Sequence, residues 1–224
     1  MTFHKQIVCL ANSRKLGGRC VAGKELHGDE EICAWVRPVS KGETDELLFH
    51  NMRFENGELP KPLDIITVPL IKHNPRTYQT ENYLIDDSQC WVKNGKLQSS
   101  NLSKLCDPVD LLWINGYHSS NGYNDRVPQV KAERILSSSL LFVKPDILSI
   151  LVKDEFNKRK VRAKFSFKEK AYLLAVTDPV IENKYQRRNV GTYHFGEPIP
   201  YLCVSIGEPY DNYCYKLVAT IITP

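Results

Sequence analysis

Hydrogen-bonding and cationic side chains gather beside two glycines in the segment Cys9–Glu25, CLANSRKLGGRCVAGKE. Gly17 and Gly18 free the backbone to curl, so that its N–H groups can approach an anion. The candidate anion ligands are Asn12, Ser13, Arg14, Lys15 and Arg19. The GxxxxGK[ST] spacing of a Walker A loop is absent. The segment therefore predicts either a cradle for an anion or a plain β-hairpin whose cations are solvated.

A second candidate is the segment AWVRPVS, which contains Trp35 and Arg37. Residues two apart on a strand face the same way, so the indole and the guanidinium would lie side by side. Such a pair can stack a base and contact its phosphate. Pro38 indicates an edge strand or a strand end, which a ligand could reach. The alternative is that Trp35 is a core aromatic with Arg37 as its surface neighbour.

The third candidate is a strongly basic strand within Lys153–Lys170, where eight basic and three acidic residues give a net charge of +5. Hydrophobic residues alternate here with polar ones, which predicts a half-buried strand with Phe165 and Phe167 in the core and cations on the outer face. The candidate phosphate contacts are Lys158, Arg159, Lys160, Arg162 and Lys164. The alternatives are an edge strand protected by lysines and a docking site for an acidic protein.

No recognised catalytic set is present in the sequence. GxSxG, HExxH and CxxC patterns are absent, and the six histidines are scattered singly. The seven cysteines are widely spaced and odd in number, which favours buried free thiols. We therefore predict no catalytic residue, no metal and no cofactor, and an enzyme is less favoured than a binding protein.

The elements that must position these residues are mostly short strands, rich in Val, Ile, Tyr and Phe and bounded by Gly, Pro, Asn or Asp. Helical signals are few: Asp107-Pro108, Asp178-Pro179 and the run Ser99–Leu105. Residues 115–131 are polar and contain turn dipeptides, so they are the best candidate linker. The predicted class is mainly β with a few short helices, in two small domains, 1–118 and 132–224. One continuous β-sandwich is the alternative.

Composition limits the class of protein. The chain has 224 residues, of which 42% are hydrophobic and 25% charged, so it is expected to fold without a disulfide scaffold. No apolar run approaches the ~20 residues that span a bilayer, and no signal-peptide core is evident. We therefore expect a cytoplasmic protein that has no membrane partner. The net charge of +4 is modest for a nucleic-acid binder.

The segments CLANSRKLGGRCVAGKEL, AWVRPVS, PLDIITVPL, ENYLID and YLCVSIGEPYDNYCYKLVATII resemble a family of uncharacterised bacterial proteins with a dual OB-containing domain. The resemblance extends from Ile7 to Ile222, and its most specific parts are Asn12-Ser13-Arg14-Lys15 and Lys216-Leu217-Val218-Ala219. It implies two OB-like β-barrels in tandem and no assigned reaction. OB barrels bind oligonucleotides, oligosaccharides or proteins, so the fold alone does not decide the function.

Three functions are compatible with these patterns. The favoured one is a binding module for single-stranded DNA or RNA that uses phosphate contacts and base stacking. The first alternative is an enzyme or sensor for a small phosphorylated ligand, such as a nucleotide, held by the Asn12–Arg19 loop. The second is a protein-interaction subunit of a bacterial complex.

Overall fold

Antiparallel strands make up most of the chain in the computed structural model, which describes residues 1–27, 31–42, 44–155 and 158–224, and the side chains of these except 27 and 31–33. The chain divides into two units, Met1–Leu105 and Cys106–Pro224. The expected class, mainly β with a few short helices, is confirmed. No described helix is both long and apolar enough to cross a bilayer.

The first unit is a closed barrel. Its strands are β1 (Phe3–Lys15), β2 (Gly18–His27), β3 (Glu31–Val39), β4 (Asp64–His73), β5 (Asn82–Ile85) and β6 (Val92–Lys96). They pair in the order β1-β2-β3-β5-β4-β6, and β1 also pairs with β4, which closes five strands on themselves. Among the described strand pairs of this barrel, only β3 and β5 run parallel. Short 3-10 helices lie at Phe49–Asn51 and, as the sequence predicts, at Ser99–Leu105.

The second unit repeats this connectivity in a more open sheet. Its elements are β7 (Arg126–Pro128), α1 (Gln129–Ile135), β8 (Leu140–Val143), β9 (Ile147–Glu155), β10 (Lys158–Phe167), β11 (Lys170–Val176), α2 (Pro179–Gln186), β12 (Gly191–His194), β13 (Tyr201–Tyr210) and β14 (Tyr213–Ile222). The strand order is β12-β9-β10-β11-β14-β13-β8, with β7 paired to β14. The run β9-β10-β11-β14-β13 matches β1-β2-β3-β5-β4, again with one parallel contact, between β11 and β14. Two OB-like barrels in tandem are thereby confirmed.

The helix signals have different outcomes. Asp178 caps α2 as predicted, because its Oδ1 accepts hydrogen bonds from the N–H groups of Val180 and Ile181, at 2.9 and 3.2 Å. The helix predicted after Asp107-Pro108 is wrong. Asp107 instead pairs with Phe142: its N–H donates to the Phe142 carbonyl, and its carboxylate accepts from the Phe142 N–H. A cap needs free helical N–H groups next to it, and here the carboxylate is already used by a strand.

The expected linker at 115–131 differs from the observed division, which falls before it. These residues belong to the second unit, where β7 and α1 form part of the segment. Their polar side chains bond to one another and to neighbouring strands, so high polarity here indicates an internally bonded loop rather than a linker.

The basic strand β10 has the predicted alternation. Val161, Ala163, Phe165 and Phe167 are buried in the core of the second unit. Phe165 stacks on Tyr172, with ring centroids 5.2 Å apart. The alternative of a lysine-protected edge is wrong, because β10 lies between β9 and β11.

The first prediction concerns this face of β10. Phe165→Ala should lower the free energy of unfolding by about 3–5 kcal/mol, because it removes a buried aromatic ring and leaves a cavity. Lys160→Ala, on the exposed face of the same strand, should change it by less than about 0.5 kcal/mol. Chemical denaturation of the two variants and the wild type gives the comparison. A Phe165→Ala protein as stable as wild type would contradict the burial of this face, and a destabilised Lys160→Ala beside it would mean that the faces are assigned in reverse.

Candidate functional site

The Asn12–Arg19 segment is a hairpin between β1 and β2, turning at Leu16-Gly17. Arg14 is the register partner of Arg19, so these two share one face, while Ser13 and Lys15 take the other. Gly18 packs against backbone: a Cβ there would lie 2.4 Å from the Leu47 carbonyl oxygen. The glycine is thus required because two segments of the chain approach closely here. The candidate anion ligands do not converge on one point. Anion binding by this hairpin stays a prediction.

Other contacts in the hairpin are structural. Asn12 Nδ2 donates to the Pro60 carbonyl at 2.7 Å. The Arg19 backbone exchanges two hydrogen bonds with Leu47, and its guanidinium lies 5.8 Å from the ring centroid of Phe49. No pattern in the sequence predicts this pairing with a distant loop.

Trp35 and Arg37 do not form the expected exposed platform. Both residues are buried, and β3 pairs with β2 and β5, so it is not an edge. The guanidinium of Arg37 lies 3.1 Å from Glu81 Oε1, with side chains 7% and 3% exposed. Lys24 Nζ lies 5.4 Å from the Trp35 ring centroid. The prediction of a ligand-accessible end at this strand is wrong, because Pro38 lies in an interior strand whose neighbours cover it.

The cations of β10 separate into paired and unpaired groups. Arg162 donates to both carboxylate oxygens of Glu155, each at 2.9 Å. Arg159 pairs with Asp154 at 2.6 Å and donates to the Arg188 carbonyl. Within the described part of the chain, Lys158, Lys160 and Lys164 are exposed and make no ion pair. Two of the five predicted phosphate contacts are thus already neutralised by carboxylates.

Glu155 is the centre of this ion-pair cluster. Lys153 Nζ also lies 3.1 Å from its carboxylate. The hydrogen bonds from Arg162, followed by the contact with Lys153, lower the pKa of Glu155 from its ordinary 4.5 to about 2 despite partial burial. The carboxylate is therefore charged at neutral pH and holds the end of β9 to β10.

A row of side chains crosses the outer face of the second sheet. Register pairs connect Tyr123 to Leu173, Leu173 to Lys164, Lys164 to Ser149, and Ser149 to His194. All five line a cavity of about 360 Å³, together with Ile147, Ser166 and Thr192 among others. An aromatic ring, a lysine, hydroxyls and an imidazole thus meet in one concave surface. Of these, only Lys164 was a candidate from the sequence.

The loop that carries Tyr123 is built by its own polar residues. Asn124 has a positive φ of 51°; its Oδ1 accepts from Gly116 N–H and its Nδ2 donates to the Ala171 carbonyl. Asp125 accepts from the N–H and the Oγ of Ser119 at 2.7 and 2.5 Å. The Asn-Gly and Asn-Asp pairs in the sequence signalled turns, but not that the turns present a tyrosine.

The core side of the same loop is held by Lys216, which is 1% exposed. Its Nζ donates to the Ile114 carbonyl at 2.7 Å and to Asn115 Oδ1 at 3.1 Å. Burial lowers the pKa of Lys216 from 10.5 to about 7, against the opposing effect of Asp125. A buried lysine thus fixes the start of the loop.

Comparison with known proteins agrees with this architecture. Residues 5–221 match the family described as dual OB-containing domain. The chain belongs to this family. No curated protein matches the sequence. Among solved structures, the dual OB-containing chain is similar to the crystal structure of the tetrameric p202 HIN2, at 9% identity and a TM-score of 0.34, over 99% of this chain and 93% of that one. A score this low does not establish a common fold.

The described residues of the dual OB-containing chain form no cluster typical of a metal site or of a reactive thiol. No three His, Cys, Asp or Glu side chains lie together there as they would around a metal ion. Six of its cysteines are free thiols: Cys9, Cys20, Cys90, Cys106, Cys203 and Cys214. Burial raises the pKa of Cys9 to about 12, so this thiol is unreactive.

The second prediction concerns Arg37. Arg37→Ala should lower the free energy of unfolding by about 3–5 kcal/mol, because it leaves the Glu81 carboxylate buried and unpaired. The double variant Arg37→Met, Glu81→Gln should recover part of this loss. Arg53→Ala, at an exposed position of the same unit, should stay within about 0.5 kcal/mol of wild type. An Arg37→Ala protein of wild-type stability would show that the ion pair does not form.

The third prediction follows from Glu155. Its folded-state pKa is depressed, so its contribution to stability is complete above about pH 4.5 and is lost as the pH falls toward 2. Glu155→Gln should therefore be less stable than wild type at pH 7, by about 1.5–3 kcal/mol. The difference should shrink between pH 4.5 and pH 2, as measured by denaturation at several pH values.

The matched control is Asp154→Asn. This carboxylate is 56% exposed in its pair with Arg159, so its removal should cost less than about 1 kcal/mol. A wild-type advantage over Glu155→Gln that is independent of pH would contradict the depressed pKa.

Proposed function

We propose that this dual OB-containing protein binds single-stranded nucleic acid on the outer face of the second sheet. The observation that carries the proposal is the row Tyr123–Leu173–Lys164–Ser149–His194, which brings an aromatic ring and a lysine to one cavity. Outer strand faces of this kind are the surfaces on which OB barrels bind oligonucleotides.

Tyr123 provides a fixed stacking surface. Tyr123 is 49% exposed. His118 stacks on its ring, with the ring centroids 4.3 Å apart and the ring planes inclined by 14°. The Asn124 N–H donates to His118 Nδ1 at 2.8 Å, so the imidazole is itself held in place. Tyr123 also lines the cavity. A base stacked on such a ring contributes about 1–3 kcal/mol and needs no particular sequence.

Lys164 provides the phosphate contact. It is exposed, and no carboxylate of the described residues pairs with it. Leu173 and Ser149, its register neighbours, are uncharged. Since no carboxylate of the described residues neutralises it, the ammonium can pair with an external anion. Lys158 and Lys160 continue the same face of β10 and add positive charge, whereas Arg159 and Arg162 are held by carboxylates.

Cavity size favours one stacked nucleotide as the unit of recognition. A volume of about 360 Å³ lies at the lower end of the ~300–1,000 Å³ of small-ligand sites. The loop bearing Tyr123 also reaches across the sheet, because Asn121 Oδ1 lies 3.5 Å from Lys153 Nζ on β9. A base must leave a duplex to enter this space, which supports a single-stranded ligand.

The fourth prediction tests this site with labelled oligo-dT and oligo-rU of about 16 nucleotides, by anisotropy between about 50 and 200 mM salt. Tyr123→Ala should weaken binding by about 1–3 kcal/mol and leave the salt slope unchanged. Lys164→Gln should make the slope of log K against log salt shallower by about 0.7, because one fewer phosphate is neutralised.

The control is Lys184→Gln, which removes an exposed lysine from α2 and should leave both quantities unchanged. Wild-type protein that binds neither oligonucleotide at low salt would refute the proposed function. If Tyr123→Ala and Lys164→Gln both bind as strongly as the wild-type protein, the interface lies elsewhere in the molecule.

A further inference from the structure

Arg126, the first residue of β7, has an incomplete set of partners. Its guanidinium carbon lies 3.9 Å from the ring centroid of Tyr213, so the planar group stacks on that tyrosine. Its Nε is shielded from solvent but makes no hydrogen bond to any described residue. No ion pair or other hydrogen bond of the Arg126 side chain occurs within 1–27, 31–42, 44–155 and 158–224.

A stacked arginine of this kind has a definite chemical preference. The contact with Tyr213 covers one face of the guanidinium. Unlike the shielded Nε–H, the terminal Nη groups are not among the buried unbonded atoms, and their in-plane N–H donors match a phosphate or carboxylate. The adjacent carboxylate of Asp125 accepts hydrogen bonds from the N–H and the Oγ of Ser119 and makes no ion pair with Arg126.

Strand register puts Arg126 on the same side of the sheet as Tyr123. Arg126 pairs with Tyr215, and Tyr215 lies on the same side of β14 as Leu217. Leu217 pairs with Ala175, which is on the same side of β11 as Leu173, the partner of Tyr123. The two residues are three apart in sequence, so their Cα atoms are at most about 11 Å apart.

A second aromatic ring accompanies the arginine. Tyr210 is the register partner of Tyr213 across the β13–β14 hairpin and therefore shares its face. It is 75% exposed. A nucleotide placed here would have a ring for its base and a guanidinium for its phosphate.

We propose that Arg126, presented by Tyr213, is a phosphate-binding subsite that extends the nucleic-acid interface from the Tyr123 cavity onto the β13–β14 hairpin. This inference rests on the proposed function for the identity of its ligand. The anion preference of the subsite rests on the Arg126 geometry alone, which allows the two to be tested separately.

The test follows the arginine Nε–H resonances of 15N-labelled protein by NMR, with Arg126→Lys identifying the Arg126 signal. Titration with oligo-dT should shift that signal, and titration with inorganic phosphate should shift it in the same direction. Arg126→Gln should weaken oligo-dT binding about tenfold and make the salt slope shallower by about 0.7. Arg126→Lys should keep the salt slope and still lose affinity, because the charge remains but the planar donors do not.

Arg134→Gln is the matched control, since Arg134 is an exposed arginine on the neighbouring helix α1 and should show none of these effects. If wild type binds oligo-dT but the Arg126 signal does not move and Arg126→Gln binds normally, the subsite is refuted and the proposed function stands. If wild type binds no oligonucleotide, the proposed function fails, and a phosphate shift confined to Arg126 still supports an anion subsite. Equal shifts of the Arg126 and Arg134 signals would indicate non-specific binding and refute it.

Discussion

The short parallel contact between β11 and β14 governs the second unit. These strands pair only at Ala175–Leu217 and Val176–Val218, and elsewhere their facing edges need other partners. The segment 123–128 supplies them: Tyr123 exchanges two hydrogen bonds with Leu173, and β7 pairs with β14. Tyr123 and Arg126 therefore lie on the outer face because their backbone groups pair with the neighbouring strands. Their side chains take no part in this backbone pairing.

Regular patterns in the sequence predicted what depends on local periodicity. The alternation in β10 placed Phe165 in the core and the lysines outside, since a period of two fixes which residues share a face. The polar segment 115–131 was misleading, because its meaning depends on partners far along the chain. Lys216 lies about one hundred residues from Ile114 and Asn115, which it holds, and no local pattern reports such a contact.

The two units share one strand connectivity but differ in whether the candidate ligand-binding side chains are buried or exposed. In the first unit, the sequence pattern predicted a nucleotide-binding surface at Trp35 and Arg37. The Arg37 guanidinium instead forms a buried ion pair with Glu81. In the second unit, an aromatic ring and a cation come from different elements, Tyr123 from the loop before β7 and Lys164 from β10. Closeness in sequence therefore did not predict an exposed pair, whereas strand register brings Tyr123 and Lys164 to one cavity.

Positive charge alone is a poor measure of this surface. Of the cations in the basic strand region, Lys153, Arg159 and Arg162 are matched by Asp154 and Glu155, and they serve to hold β9 against β10. What distinguishes Lys164 and Arg126 is that no carboxylate of the described residues pairs with them, while Arg126 stacks on Tyr213 and Lys164 lines the same cavity as Tyr123. A ligand that brings both a π-face and an anion satisfies both groups together, and a phosphate linked to a base is such a ligand. The modest net charge of +4 is then no obstacle, since affinity would depend on a few unmatched donors beside rings rather than on the sum of charges.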